Sequence, residues 1–268
     1  MSQDTRADVA KRRVVYELPG ERTVSVRRDV LYPSSAGESL TFDVYEPPGH
    51  GGQAPWPAVV LVSGYNDLGM ARVMGCAAKD MEAFRSWARL IAASGMACVA
   101  FECREPAADA AALVRHLRAS ADALNLDAAR IGLWACSGHV PTALGVLMDD
   151  PHLACAALLY GYMLDLDGGT PVADAAAMFR FATPAAGRAV RDVPADIPLF
   201  VVRAGRDEMP GLNASLDTFV VHALRENRPV TMLNQHHGPH AFDLVDDTPA
   251  SRTAVRGTLD FLATVLRA

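Results

Sequence analysis

The run Ala58-Val-Val-Leu-Val-Ser-Gly64 is apolar at nearly every consecutive position. A strand with one face in water alternates apolar and polar residues, so this run reads as a strand covered on both sides. Ala97–Cys103, Arg130–Cys136, Ala154–Gly161, Pro198–Gly205 and Val230–Gln235 follow as further central strands. Between them, residues 80–93, 107–124, 139–149 and 213–226 carry apolar side chains at helical spacing, as in Leu216, Phe219, Val220, Ala223 and Leu224. Strand alternating with amphipathic helix predicts an α/β fold with a mainly parallel sheet and helices on both faces.

The chain enters this pattern through two alternating runs, Val24–Tyr32 and Leu40–Tyr45, separated by a turn-rich Pro33–Ser39. They predict an N-terminal antiparallel hairpin. A Pro- and Gly-rich loop over 47–57 leads to the first central strand, and a helix over 249–267, with Pro249 in its first turn, closes the chain. At 268 residues the chain is expected to be a single domain over 1–268. Residues 1–13 read as a flexible polar arm. Two irregular stretches interrupt the alternation, 65–79 and 162–196. The second, with an Ala-rich helical piece around Ala175–Phe181, reads as a short cap or pocket wall.

A formal net charge of −6 offers no attraction for phosphate backbones or anionic lipid, so neither nucleic acid nor membrane is an expected partner. The polar start lacks the apolar core of a secretory signal, and no apolar run reaches membrane-spanning length; a cytoplasmic location is expected. The five cysteines, Cys76, Cys98, Cys103, Cys136 and Cys155, form an odd set with three inside apolar strands, which fits reduced core thiols rather than disulfides or zinc. A homodimer stays open.

Chemistry concentrates where the strand Arg130–Cys136 runs directly into a helix, with Ser137 at the join. Small residues there permit a sharp strand-to-helix turn that exposes a nucleophilic hydroxyl. A serine needs a base to take its proton and a carboxylate to orient that base. The strand ending at Gly205 is followed by Arg206-Asp207-Glu208, and the next by His236-His-Gly-Pro-His240. Parallel strands deliver their carboxyl ends to one edge, so Ser137, Asp207 and His240 are expected to converge, in the chain order Ser, Asp, His.

Taken with Val60-Leu-Val-Ser-Gly-Tyr65, Ala88-Arg-Leu-Ile-Ala-Ala-Ser-Gly95 and Gly238-Pro-His-Ala-Phe242, these motifs resemble the α/β-hydrolase superfamily from about residue 24 onward. The likeness is greatest to its dienelactone-hydrolase-like and small carboxylesterase branches. The resemblance implies Ser137 as nucleophile, His240 as base, Asp207 as orienting acid, and the backbone N–H groups of Tyr65 and Gly138 as the oxyanion hole. It implies no cofactor and a small-molecule ester as substrate. Two positions depart from it: Ser63 stands where many relatives have the His of a His-Gly motif, and His139 stands where the elbow has glycine.

Other readings compete at individual residues. Cys136 precedes the nucleophile position by one, so its side chain should point to the opposite side of the turn. His236, His237 and His240 resemble a metal cluster, but Gly238 and Pro239 interrupt any helix that would align them, and no metal is expected. Asp165 and Asp167 are alternative acids at an earlier strand end, and Glu208 and Asp243 read as loop neighbours. Tyr65, His139, Met163 and Phe179 are candidates for substrate contact. The activity expected is carboxylic ester cleavage through an acyl-enzyme; a thioesterase or acyltransferase using the same residues, or a non-catalytic binding protein on the same fold, are the alternatives.

Overall fold

The computed structural model describes residues 10–49 and 55–268. Eight strands form one sheet in the order β1-β2-β4-β3-β5-β6-β7-β8. They are β1 (Ser25–Pro33), β2 (Ser39–Glu46), β3 (Trp56–Leu61), β4 (Ala97–Phe101), β5 (Leu126–Cys136), β6 (Cys155–Leu159), β7 (Leu199–Ala204) and β8 (Val230–Gln235). β2 is antiparallel to both of its neighbours, and every pairing from β4 to β8 is parallel. The predicted sheet and hairpin are therefore present, and all eight expected strands appear within a few residues of their bounds.

Helices α1 (Asp67–Met74), α2 (Glu82–Ala93), α3 (Pro106–Ala119), α4 (Ala121–Leu124), α5 (Val140–Asp149), α6 (Pro171–Phe179), α7 (Leu212–Arg225), α8 (Phe242–Val245) and α9 (Pro249–Leu266) complete the fold. Among the described residues, none is long and apolar enough to cross a membrane. The uniform apolarity of β3 has its cause in the two covered faces. Ala58, Val60 and Val62 pack with α3, α5 and α7 on one side, while Val59 and Leu61 pack with α2 and α9 on the other. Each fully buried Val or Leu among them contributes about 1.5–3 kcal/mol of transfer free energy.

Two expectations are corrected. The single helix expected over 107–124 is two, because the chain turns at Ser120 and ends α4 on Asn125 in the left-handed region at φ 54°. The irregular 65–79 stretch contains α1, whose N-terminus is capped by Asn66 accepting from the Leu68 N–H at 2.8 Å. In the described part of the N-terminal arm, Ala10 is buried and Arg13 donates to Glu21 at 2.6 Å. Residues 1–9 of that arm, and 50–54 of the expected loop before β3, lie outside the described residues.

Candidate active site

The carboxyl ends of β3 to β8 share one edge of the sheet, and the loops leaving that edge carry the polar residues singled out by sequence. β5 ends at Cys136 in extended backbone, and Ser137 follows at φ 53°. A non-glycine residue in the left-handed region carries strain of order 1–3 kcal/mol, which the surrounding packing must hold in place. One 3-10 turn, Ser137–His139, then leads into α5. The turn is tight enough that a Cβ on Gly138 would collide with the Tyr65 hydroxyl and lie 2.8 Å from Phe181 Cδ1. A Cβ on Gly64 would strike the Gly138 carbonyl and lie 2.9 Å from His139 Cα. The close approach that an elbow glycine would usually permit is thus supplied from across the gap, at Gly64.

Ser137 Oγ lies 3.0 Å from His240 Nε2, and His240 Nδ1 lies 2.7 Å from Asp207 Oδ2. The Asp207 side chain is fully buried and its other oxygen accepts the Met209 N–H at 2.9 Å, whereas the imidazole is a quarter exposed. The carboxylate is locked and the ring is reachable, which is the arrangement a base at a substrate cleft requires. The rival acids are engaged elsewhere. Asp165 accepts the Val172 and Ala173 N–H groups at the start of α6, and Asp167 pairs with His222 at 3.0 Å.

The loop after β3 is tied from several directions. Ser63 Oγ donates to the Tyr65 carbonyl at 3.1 Å and accepts the Tyr65 N–H at 3.3 Å, so the amide expected to face an oxyanion is turned toward Ser63. Buried Asp67 accepts the N–H groups of Ala78 and Cys103, at 2.9 and 2.6 Å. His139 supplies a third tie. Its Nδ1 accepts the Gly64 N–H at 2.9 Å, and its ring lies edge to face with Tyr65 and Phe84 at 5.1 and 5.3 Å. Accepting at Nδ1 fixes the proton on Nε2, and burial pushes the imidazole pKa down from 6.5 to about 4.

The 162–196 segment contributes to a small apolar cluster that includes Tyr65. Tyr162, Val172, Ala175, Phe181 and Leu212 are its buried members, and Tyr65, Phe179 and Met209 pack at its margin. Tyr162 stacks on Phe181 at 5.4 Å and donates its hydroxyl to the Pro210 carbonyl. Of the residues expected to contact substrate, Tyr65 is part-exposed beside the elbow, and Phe179 is part-exposed at the margin of the apolar cluster. His139 is packed beneath it. Met163 is 1% exposed and packs in the core formed with α5 and α7.

Asp243, read from sequence as a loop neighbour, lies in α8 and is buried. Its Oδ1 accepts the Tyr160 hydroxyl at 2.6 Å and its Oδ2 the Trp87 indole N–H at 2.7 Å. The one signal available in the sequence was a carboxylate set within Ala241-Phe-Asp-Leu-Val245. Tyr160, at φ 34°, also meets the His240 ring edge to face at 5.3 Å. Cys136, one residue before Ser137, has its thiol beside the Tyr160 hydroxyl, and burial pushes its pKa far up, which leaves it a poor nucleophile.

Several solved structures are similar to this chain over nearly its whole length. A thermostable esterase from Pseudomonas putida superposes with a TM-score of 0.74 at 14% identity, covering 100% of this chain and 91% of that one. LAE6, an α/β-hydrolase enzyme from the metagenome of Lake Arreo in Spain, solved as a serine-to-alanine mutant, gives 0.73 at 16% identity over 99% and 88%. EstE1, a thermophilic carboxylesterase from a metagenomic library, gives 0.70 at 18% identity over 99% and 95%. No protein-family model matches the chain, and no curated protein matches it by sequence. Together with the strand order, these likenesses establish the α/β-hydrolase fold.

Proposed function

We propose that the protein is a serine hydrolase that cleaves a carboxylic ester of a small molecule through an acyl-enzyme, within the dienelactone-hydrolase-like and small carboxylesterase part of the superfamily, and that it acts in the cytoplasm. The observation that carries the reading is the continuous relay from Ser137 Oγ through His240 to Asp207, with contacts of 3.0 and 2.7 Å. In the first half-reaction His240 takes the Ser137 proton as the oxygen attacks the ester carbonyl, then returns it to the departing alcohol. In the second, His240 activates water, which releases the acid and restores the serine. Asp207 holds the ring with its Nε2 toward Ser137 and stabilises the imidazolium that forms.

The developing oxyanion is assigned to the Gly138 N–H and to Tyr65. The Tyr65 amide is turned toward Ser63, and its hydroxyl lies against Gly138. Removing one such donor typically costs about 3 kcal/mol of transition-state stabilisation. Tyr65 and Phe181 crowd the elbow and favour a compact acyl group. Thioester cleavage and acyl transfer need the same relay and differ only in what leaves and what accepts.

The test is turnover of short-chain p-nitrophenyl esters by the protein and by Ser137→Ala. The proposal expects hydrolysis that falls by about four orders of magnitude or more in the variant. Equal turnover by the two, or none by either, supports a binding protein on this fold instead.

A further inference from the structure

We infer that Asp243 is a second buried carboxylate of this site, a positioning residue that steadies the His240 imidazole through Tyr160 and favours its protonated form. The inference rests on the reading of His240 as the base. Asp243 lies three residues after His240 and is 1% exposed. It is held at both oxygens, by the Tyr160 hydroxyl and by the Trp87 indole, from two elements far apart in the chain. Tyr160 touches both partners at once: its hydroxyl donates to Asp243, and its ring packs edge to face against His240.

Burial raises the Asp243 pKa overall, and the hydrogen-bond donors around the carboxyl work against that rise. An indole N–H can only donate, and the Tyr160 hydroxyl donates in this arrangement, so the carboxyl receives two hydrogen bonds and gives none. That suits the anion. The nearby charge of His240 acts in the same direction as these two donors. An anion kept in a dry site, with no salt-bridge partner among the described residues, is a costly feature for packing alone, and the cation it can favour is the imidazolium formed when His240 accepts the serine proton. The ionisable groups around the imidazole are Asp207 after β7, with exposed Arg206 and Glu208 in the same loop; Cys136 and Tyr160 at the ends of β5 and β6; and exposed His236 and His237 in its own loop. Asp243→Asn leaves all of these in place.

The experiment follows the His240 imidazole directly by NMR titration of ¹⁵N-histidine-labelled protein, the signal being assigned by its loss in His240→Asn. Wild type, Asp243→Asn and Tyr160→Phe are compared, with the pH profile of ester turnover recorded in parallel. The His240 midpoint is expected to move to lower pH by about half a unit or more in Asp243→Asn, a roughly threefold or larger change in its protonation equilibrium. Tyr160→Phe is expected to move it in the same direction by less. A folded Asp243→Asn protein with an unchanged midpoint overturns the inference and makes Asp243 a scaffold residue. Should that variant not fold, an unchanged midpoint in Tyr160→Phe overturns it equally. Absence of Ser137-dependent turnover in wild type would instead defeat the hydrolase reading, and the titration comparison would still decide the role of Asp243.

Discussion

His139 is buried neutral, and protonating it should unlatch the loop beneath the site. Its Nδ1 lone pair holds the Gly64 N–H, so a proton there removes the acceptor and places a charge between Tyr65 and Phe84. The folded protein resists that proton until about pH 4, whereas the unfolded chain takes it near 6.5. Because the folded value is the lower one, the unfolded state binds more protons across this window, and stability falls as pH drops from about 6.5 toward 4 and then levels off. The gap between the two values corresponds to about 3 kcal/mol. Urea unfolding followed by tryptophan fluorescence at pH 7, 5.5 and 4 measures it, with His139→Gln as the reference. The glutamine carbonyl can still accept from Gly64 but carries no titrating ring. Buried Asp67 and Asp243, whose carboxyl pKa values are raised, act in the opposite sense but equally in both proteins, so the difference isolates His139. The variant should be less stable at pH 7 and should lose about 3 kcal/mol less than wild type on acidification. Parallel pH dependence in the two proteins would refute the reasoning.

Gly138→Ala should lower kcat/KM for an activated ester by about a hundredfold or more while the fold survives, because its Cβ would push the Tyr65 hydroxyl and Phe181 away from the elbow; steady-state kinetics and a melting curve check both halves. Lys79→Met should destabilise the protein by about 3 kcal/mol in urea unfolding, since Lys79 is buried against the fully buried Asp43 at 3.3 Å. Arg28 at 3.4 Å and the Asp29 N–H at 3.0 Å remain as its partners.

The main relay was legible because its geometry follows from topology. Once β5, β7 and β8 are parallel, residues just past their ends must share an edge, and Ser137, Asp207 and His240 occupy those places. What escaped depends on which way a side chain turns across the gap between elements. Met163 continues beyond β6 and faces the core, a direction that composition does not report. His139 looked like a defect in the elbow. Its counterpart is Gly64, some 75 positions away, and only the folded pair shows that the missing space was relocated. Asp243 likewise gains meaning from Trp87 and Tyr160, neither of which is adjacent to it in sequence. Helix α1 was unreadable for a simpler reason: Gly69 and a weak apolar spacing hide it, and its stability comes from the Asn66 cap and the hydrogen bonds Asp67 makes to surrounding loops.

The central claim is that Ser137 is a nucleophile activated by His240. Incubating the protein with an alkyl fluorophosphonate and mapping the modified peptide by mass spectrometry tests it most directly. One adduct is expected, on Ser137, formed rapidly in wild type and suppressed in His240→Asn. An unmodified protein, an adduct on another residue, or equally fast labelling without His240 would contradict it.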